Sequence, residues 1–275
     1  MRRLALLLIL GTSLAQASEP RLRGSWQQGG VIIGEVAPGS AVSFNGRALA
    51  VSREGAFVLG LAVDEAPAAE LTVQAPGQPP QRYEYPVQAR AYDEQRISGL
   101  PEKMVSPPAA AQRQIALDNQ RVGAARNRET AAAWFREGFR WPVPATVSGV
   151  YGSKRVLNGT PKQPHFGIDL AAPQGTPVLA SGAGQVSLAR DDLYYTGGTV
   201  ILDHGQGLST TYLHLSRLLV KEGETVAAGQ VIGEVGATGR ATGPHLCWRA
   251  NWYQTRLDAS LLVQDAPARK GQSTR

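Results

Sequence analysis

The chain has 275 residues but only one cysteine, Cys247, and two methionines. A single thiol cannot close an intramolecular disulfide, so a cross-linked framework is excluded. Cys247 is left as a buried thiol, an intermolecular partner or a metal ligand. Histidine is scarce as well: the four are His165, His204, His214 and His245, all in the second half. Aromatic residues make up 7% and no nucleic-acid motif is present, which argues against a nucleic-acid partner. Beyond the amino-terminal stretch, no run approaches the roughly twenty apolar residues of a membrane span.

The first residues have a different character. Met1 to Ala17 carries Arg2 and Arg3, then the apolar run Leu4 to Leu10, then Ala15-Gln16-Ala17, the pattern of a cleavable secretory signal. A mature protein beginning near Ser18 is expected to be periplasmic or secreted, with no transmembrane segment after cleavage. It has no cysteine at the cleavage point to carry a lipid. Net charge is +6, of which Arg2 and Arg3 supply two, and the remaining basic excess suits a polyanionic surface such as a cell wall.

Punctuation divides the rest. From 18 to 100, short extended runs alternate with turns: Val31 to Ile33, Ala41 to Phe44, the turn Asn45-Gly46, Phe57 to Leu59, Leu71 to Val73 and Tyr83 to Tyr85. Asn-Gly between extended runs is a strong hairpin signal, and a small β-sandwich is expected. Pro101 and Pro107-Pro108 open a linker over 101–137. There, Ala109 to Phe135 is rich in helix formers, with Ile115, Val122 and Ala125 at helical spacing, so a connecting helix is expected. From 138 to 265 the chain returns to glycine-punctuated strands, implying a compact antiparallel β domain, and 266–275 reads as a polar tail. The expected fold is mainly β.

Two short stretches carry metal-ligand spacing: His165-Phe166-Gly167-Ile168-Asp169, and Gly243-Pro244-His245-Leu246-Cys247-Trp248. Side chains two or four apart on a strand share a face, so His165 with Asp169, and His245 with Cys247, can point into one site. Three such donors and a water make a tetrahedral zinc site with one open position, the hydrolytic arrangement.

These stretches belong to a longer ordered set: Arg155 through Asn158-Gly159, His165 to Pro173, Gly175 to Val178, Thr211 to Ser216, Val226 to Gly233 and Thr242 to Cys247. Over roughly residues 138 to 262 the chain resembles the lysostaphin or LytM-type zinc endopeptidases of bacterial cell walls. The resemblance implies a LytM-type fold, zinc as cofactor and peptidoglycan as substrate. It implies His165 and Asp169 as ligands, a third ligand at Cys247 where the family has histidine, and His214 and His245 as catalytic groups sharing the roles of base and oxyanion donor. It also implies a structural His204, and either a groove-lining or a solvated role for Arg155 and Asn158.

The cysteine matters through its charge. Asp169 with a thiolate cancels the +2 of zinc, which leaves a less electropositive ion and predicts turnover that is reduced, shifted to higher pH or absent. The alternative implied by the resemblance is a LytM-like regulator of a cell-wall amidase. Either way, the amino-terminal domain positions or occludes the site.

Overall fold

A computed structural model describes residues 19–263; the expected signal segment and polar tail lie outside the described residues. The amino-terminal part consists of two small antiparallel sheets. One joins Arg21–Gly24, Val31–Glu35 and Ala56–Gly60, and the other joins Arg47–Ala48, Ala41–Phe44, Ala68–Gln74 and Gln81–Pro86 in that spatial order. Alternation places Val42, Phe44, Ala69, Leu71 and Val73 in the core, where they meet Ile32, Phe57 and Leu59 of the facing sheet. The Asn45-Gly46 turn has φ of 46° and 78° at its two residues, as the two-residue hairpin requires.

The carboxy-terminal part is built on an eight-stranded sheet. Its central strands are Gly184–Leu193, Gly197–Gly205, Leu208–Leu215, Leu246–Trp252, Ile168–Ala171 and Thr146–Gly149, each hydrogen-bonded to the next. On Leu246–Trp252, the residues Leu246, Trp248, Ala250 and Trp252 face the main core together with Tyr212, Val200 and Leu202. Cys247, Arg249 and Asn251 therefore project from the opposite face. That face is covered at one end by the helix Ala109–Arg126, whose Val122 and Ala125 pack on Leu188, Leu193 and Ile201. The two halves share one core through Trp252 and Leu257, which close over Gly60 so tightly that a Cβ there would lie 2.8 Å from each.

Two expectations need correction. Helix-forming composition runs on to Phe135, yet the helix ends at Arg126, with Asn127 as its C-cap. Tertiary hydrogen bonds take over beyond it: Thr130 bonds Asp203 through its hydroxyl, its carbonyl accepts from Gln206 N at 2.8 Å, and Arg128 donates to Gln185. Only a 3-10 turn, Trp134–Glu137, follows. The strand Glu94–Ile97, within the span expected for the first β domain, instead pairs in parallel with Lys154–Leu157 of the second.

His204 is fully buried, with Nδ1 2.7 Å from the carbonyl of Ala183, Nε2 2.7 Å from Thr210 Oγ1, and the Phe139 ring edge-on to its own at 5.0 Å. Burial pushes its pKa down to about 4 from 6.5. Between those values the unfolded chain binds more protons than the folded one. The stability is therefore full above about pH 6.5 and is lost as pH falls toward 4, on the order of 3 kcal/mol from this group. The denaturant midpoint is expected to drop steeply across that window. A flat midpoint from pH 7 to 4.5 would count against this account, and His204→Gln should flatten the slope.

Candidate metal centre and active site

Asp169 on Ile168–Ala171 lies directly opposite Cys247 on Leu246–Trp252 in the antiparallel register, so carboxylate and thiol leave the sheet side by side. His165 precedes the first of these strands and is fixed through its backbone, whose N–H donates to Ser153 O and whose carbonyl accepts from Gly152 N. Its Nε2 lies 3.1 Å from Asp169 Oδ1 and 3.3 Å from Cys247 Sγ. One donor atom from each of His165, Asp169 and Cys247 falls within a 4.8 Å span.

Those separations fit one ion. Ligands about 2.0 to 2.3 Å from a tetrahedral zinc lie roughly 3.3 to 3.6 Å apart. Asp169 Oδ1 is buried and has no partner in hydrogen-bond geometry, although His165 Nε2 is close by. The donor set suits zinc: an imidazole, a carboxylate and a sulfur.

Protonation agrees. Burial lowers the pKa of His165, which keeps its imidazole neutral and ligand-competent. Burial works to raise that of Asp169, but His165, His245 and the Arg155 guanidinium outweigh it and hold the carboxyl well below its usual range. Arg155 Nη2 sits 3.0 Å from Asp169 Oδ2. Burial pushes the Cys247 thiol up to about 12 in the metal-free protein, while Arg249 Nε, 3.5 Å from the sulfur, pulls the other way. A cation deprotonates such a thiol outright.

Two glycines make room. A Cβ on Gly149 would come within 2.5 Å of Asp169 Oδ2, and one on Gly167 within 2.9 Å of Cys247 Sγ. The chain passes this close to Asp169 and Cys247 only without a side chain.

His214 and His245 stand next to this cluster, their rings 4.8 Å apart. His245 Nε2 is 3.8 Å from Asp169 Oδ1. Each Nδ1 faces a carbonyl, Thr238 O at 2.8 Å for His214 and Gly243 O at 2.9 Å for His245. A carbonyl only accepts, so Nδ1 carries a proton, and in a neutral ring Nε2 then keeps a free lone pair. His214 shares strand parity with core-facing Tyr212, but its left-handed backbone, φ 66°, breaks the alternation. Such strain in a non-glycine residue is held only where surrounding structure enforces it. Burial, then His245, pushes the pKa of His214 down to about 3, so the ring is neutral.

The structure thus gathers His165, Asp169, Cys247, His214, His245 and Arg155. It does not bring in Asn158, expected as a possible groove residue: with φ 47°, its side chain is spent on both backbone groups of Leu100, at 2.8 and 3.2 Å. His204 also stands apart, with both ring nitrogens engaged. Sequence reading missed Arg249; its signal was parity, two residues from Cys247.

Known proteins give the arrangement a lineage. Residues 163–259 match the family model described as Peptidase family M23. The chain is 46% identical over 110 residues to the peptidoglycan DD-endopeptidase ShyA of Vibrio cholerae, covering 39% of this chain and 25% of that protein. It is 50% identical over 86 residues to the DD-carboxypeptidase/endopeptidase Mpg of Neisseria meningitidis, covering 31% and 20%. The chain thus spans about a quarter or less of the length of these curated relatives. The crystal structure of a candidate peptidase M23 from Pseudomonas aeruginosa superposes with a TM-score of 0.64 at 28% identity, covering 86% of this chain and 95% of that one. Residues 163–259, which carry the His165, Asp169 and Cys247 cluster, are thus a peptidase family M23 domain.

Proposed function

We propose that the protein is a zinc-dependent endopeptidase that hydrolyses peptide bonds in peptidoglycan. The observation that carries this reading is the convergence of His165, Asp169 and Cys247 within 4.8 Å, with the paired rings of His214 and His245 alongside. Sequence likeness to proteins named for peptidoglycan endopeptidase activity supports the substrate. Export fits that substrate, and among the described residues no helix is long and apolar enough to cross a membrane.

Zinc held by His165 Nε2, Asp169 and Cys247 would supply Lewis acidity toward a scissile carbonyl and a water. The rest falls to side chains. Arg155 fixes the Asp169 carboxylate through Oδ2 and leaves Oδ1 for the ion. His214 and His245 each present Nε2 as a proton acceptor. Either ring can take a proton from water, and a ring so protonated can donate to an oxyanion. The carbonyls of Thr238 and Gly243 hold both rings in the tautomer this needs. With zinc bound, Asp169 and a Cys247 thiolate would cancel the ion's +2 and weaken its field at the open position, and the flanking guanidiniums of Arg155 and Arg249 would restore part of it.

Three measurements test this. Muropeptide release from purified sacculi should disappear on chelation, return with zinc, and be absent in His165→Ala; release that survives chelation and His165→Ala would overturn the reading. Cys247→Ala should lose bound zinc, whereas Cys247→His should keep it and raise turnover at neutral pH; equal zinc content in wild type and Cys247→Ala would remove the sulfur from the shell. Gly167→Ala should leave far-ultraviolet circular dichroism intact but weaken zinc affinity by roughly 10- to 100-fold, as displaced ligand supports do.

A further inference from the structure

Three arginines collect beside the metal cluster, and among the described residues none of them has a carboxylate partner. Arg126 ends the helix Ala109–Arg126, is 5% exposed, and its buried Nε has no hydrogen-bond partner. Arg249 shares the face of Cys247, and the Arg249 Cγ and Cys247 Sγ both crowd Gly167. Arg256, on Thr255–Leu257, is in register with Asn251 on that face. Its guanidinium lies 6.0 Å from the centre of the Phe166 ring, one residue after His165, and its buried Nη1 is also unpartnered. The helix end is tied to this corner by Gln254 Nε2, which donates to Gly123 O at 3.1 Å.

The nearby carboxylates are already engaged, Asp169 by Arg155 at 3.0 Å and Asp258 by Arg90 at 2.9 Å. Among the described residues, none of the three arginines has an acidic partner. Burial, then repulsion from Arg256 and Arg249, pushes Arg126 well down; burial, then Arg249, brings Arg256 to about 10. Thr211, in register with Arg249, adds a buried hydroxyl with no partner. Buried guanidiniums without an anion are strongly unfavourable, whereas their planar forks match a carboxylate in two-point contact. Arg249 and Arg256 are partly exposed to solvent, and Arg126 is buried.

We propose that Arg126, Arg249 and Arg256 form a carboxylate-binding subsite that holds an acidic group of the peptide substrate beside the metal cluster. The proposal rests on the peptidase reading, and the test separates the two. The probes are N-acetyl-D-alanyl-D-alanine and its C-terminal amide, titrated into the zinc-loaded full-length protein. Wild type should bind the acid at least tenfold more tightly than the amide. Arg256→Gln and Arg126→Met should each erase that preference while zinc content is unchanged, and Arg217→Gln, at an exposed ion pair, should keep it. Because Arg126→Met removes an unpaired buried charge, its melting temperature should equal or exceed that of wild type, which separates lost binding from lost folding.

Equal affinity for acid and amide, or a preference that survives both arginine variants, would overturn the subsite; the latter would assign carboxylate binding to zinc alone. If the arginine-dependent preference holds but sacculi release no peptides, the subsite stands and the peptidase reading falls. If sacculi are digested without the preference, the reverse is true.

Discussion

Asp169 and Cys247 occupy directly opposed positions on neighbouring antiparallel strands, and the site depends on that register. It is held from the other side of the sheet, where Trp248 and Leu246 are fully buried against Tyr212 and the core. Because side chains alternate, a slip of one residue would drive Trp248 out toward the ligands and the thiol into hydrocarbon. The apolar burial that stabilises the domain is therefore also what aims the donors. The second strand pairing, Leu213 opposite Cys247, extends the same constraint to the strand that ends in His214.

Electrostatics around the cluster follow from cysteine at 247. As metal ligands, Asp169 and a Cys247 thiolate would be two negative groups, and each has a guanidinium beside it, Arg155 on the carboxylate and Arg249 on the sulfur. Arg155 owes its position to more than its own hairpin. The strand Lys154–Leu157 is paired on one edge with Thr160–Lys162 and on the other with Glu94–Ile97. From there the connecting segment is pinned by Asn158 to Leu100, and Arg240 and Tyr194 bond the carbonyls of Met104 and Lys103. The amino-terminal half thus reaches the site through backbone as well as through the shared core, and supports residues on both of its flanks.

The helix Ala109–Arg126 shows how one element serves two ends. Its apolar residues close the sheet over Leu188, Leu193 and Ile201, and its buried Asp118 accepts from Tyr194 N at 2.8 Å. Its last residue delivers a buried positive charge to the corner next to the ligands. A helix that only covered apolar surface would have no use for an arginine there.

Much of this was legible in the chain itself. Alternating apolar residues and the Asn45-Gly46 turn determine the strands of both halves, and the spacings His165 to Asp169 and His245 to Cys247 determine which side chains can share a face. Those are local properties, set by the two-residue period of a strand and the φ preferences of turn residues. Tertiary structure decided the rest. It ended the helix at Arg126, beyond which Thr130 and Arg128 are bonded to Asp203 and Gln185. It moved Glu94–Ile97 into the second half, assigned Asn158 to Leu100, and placed His214 in a left-handed conformation that no strand pattern predicts. It alone brought Arg126 to Arg249 and Arg256 across more than a hundred residues of sequence, since charges so far apart along a chain become neighbours only when the packing between them is complete.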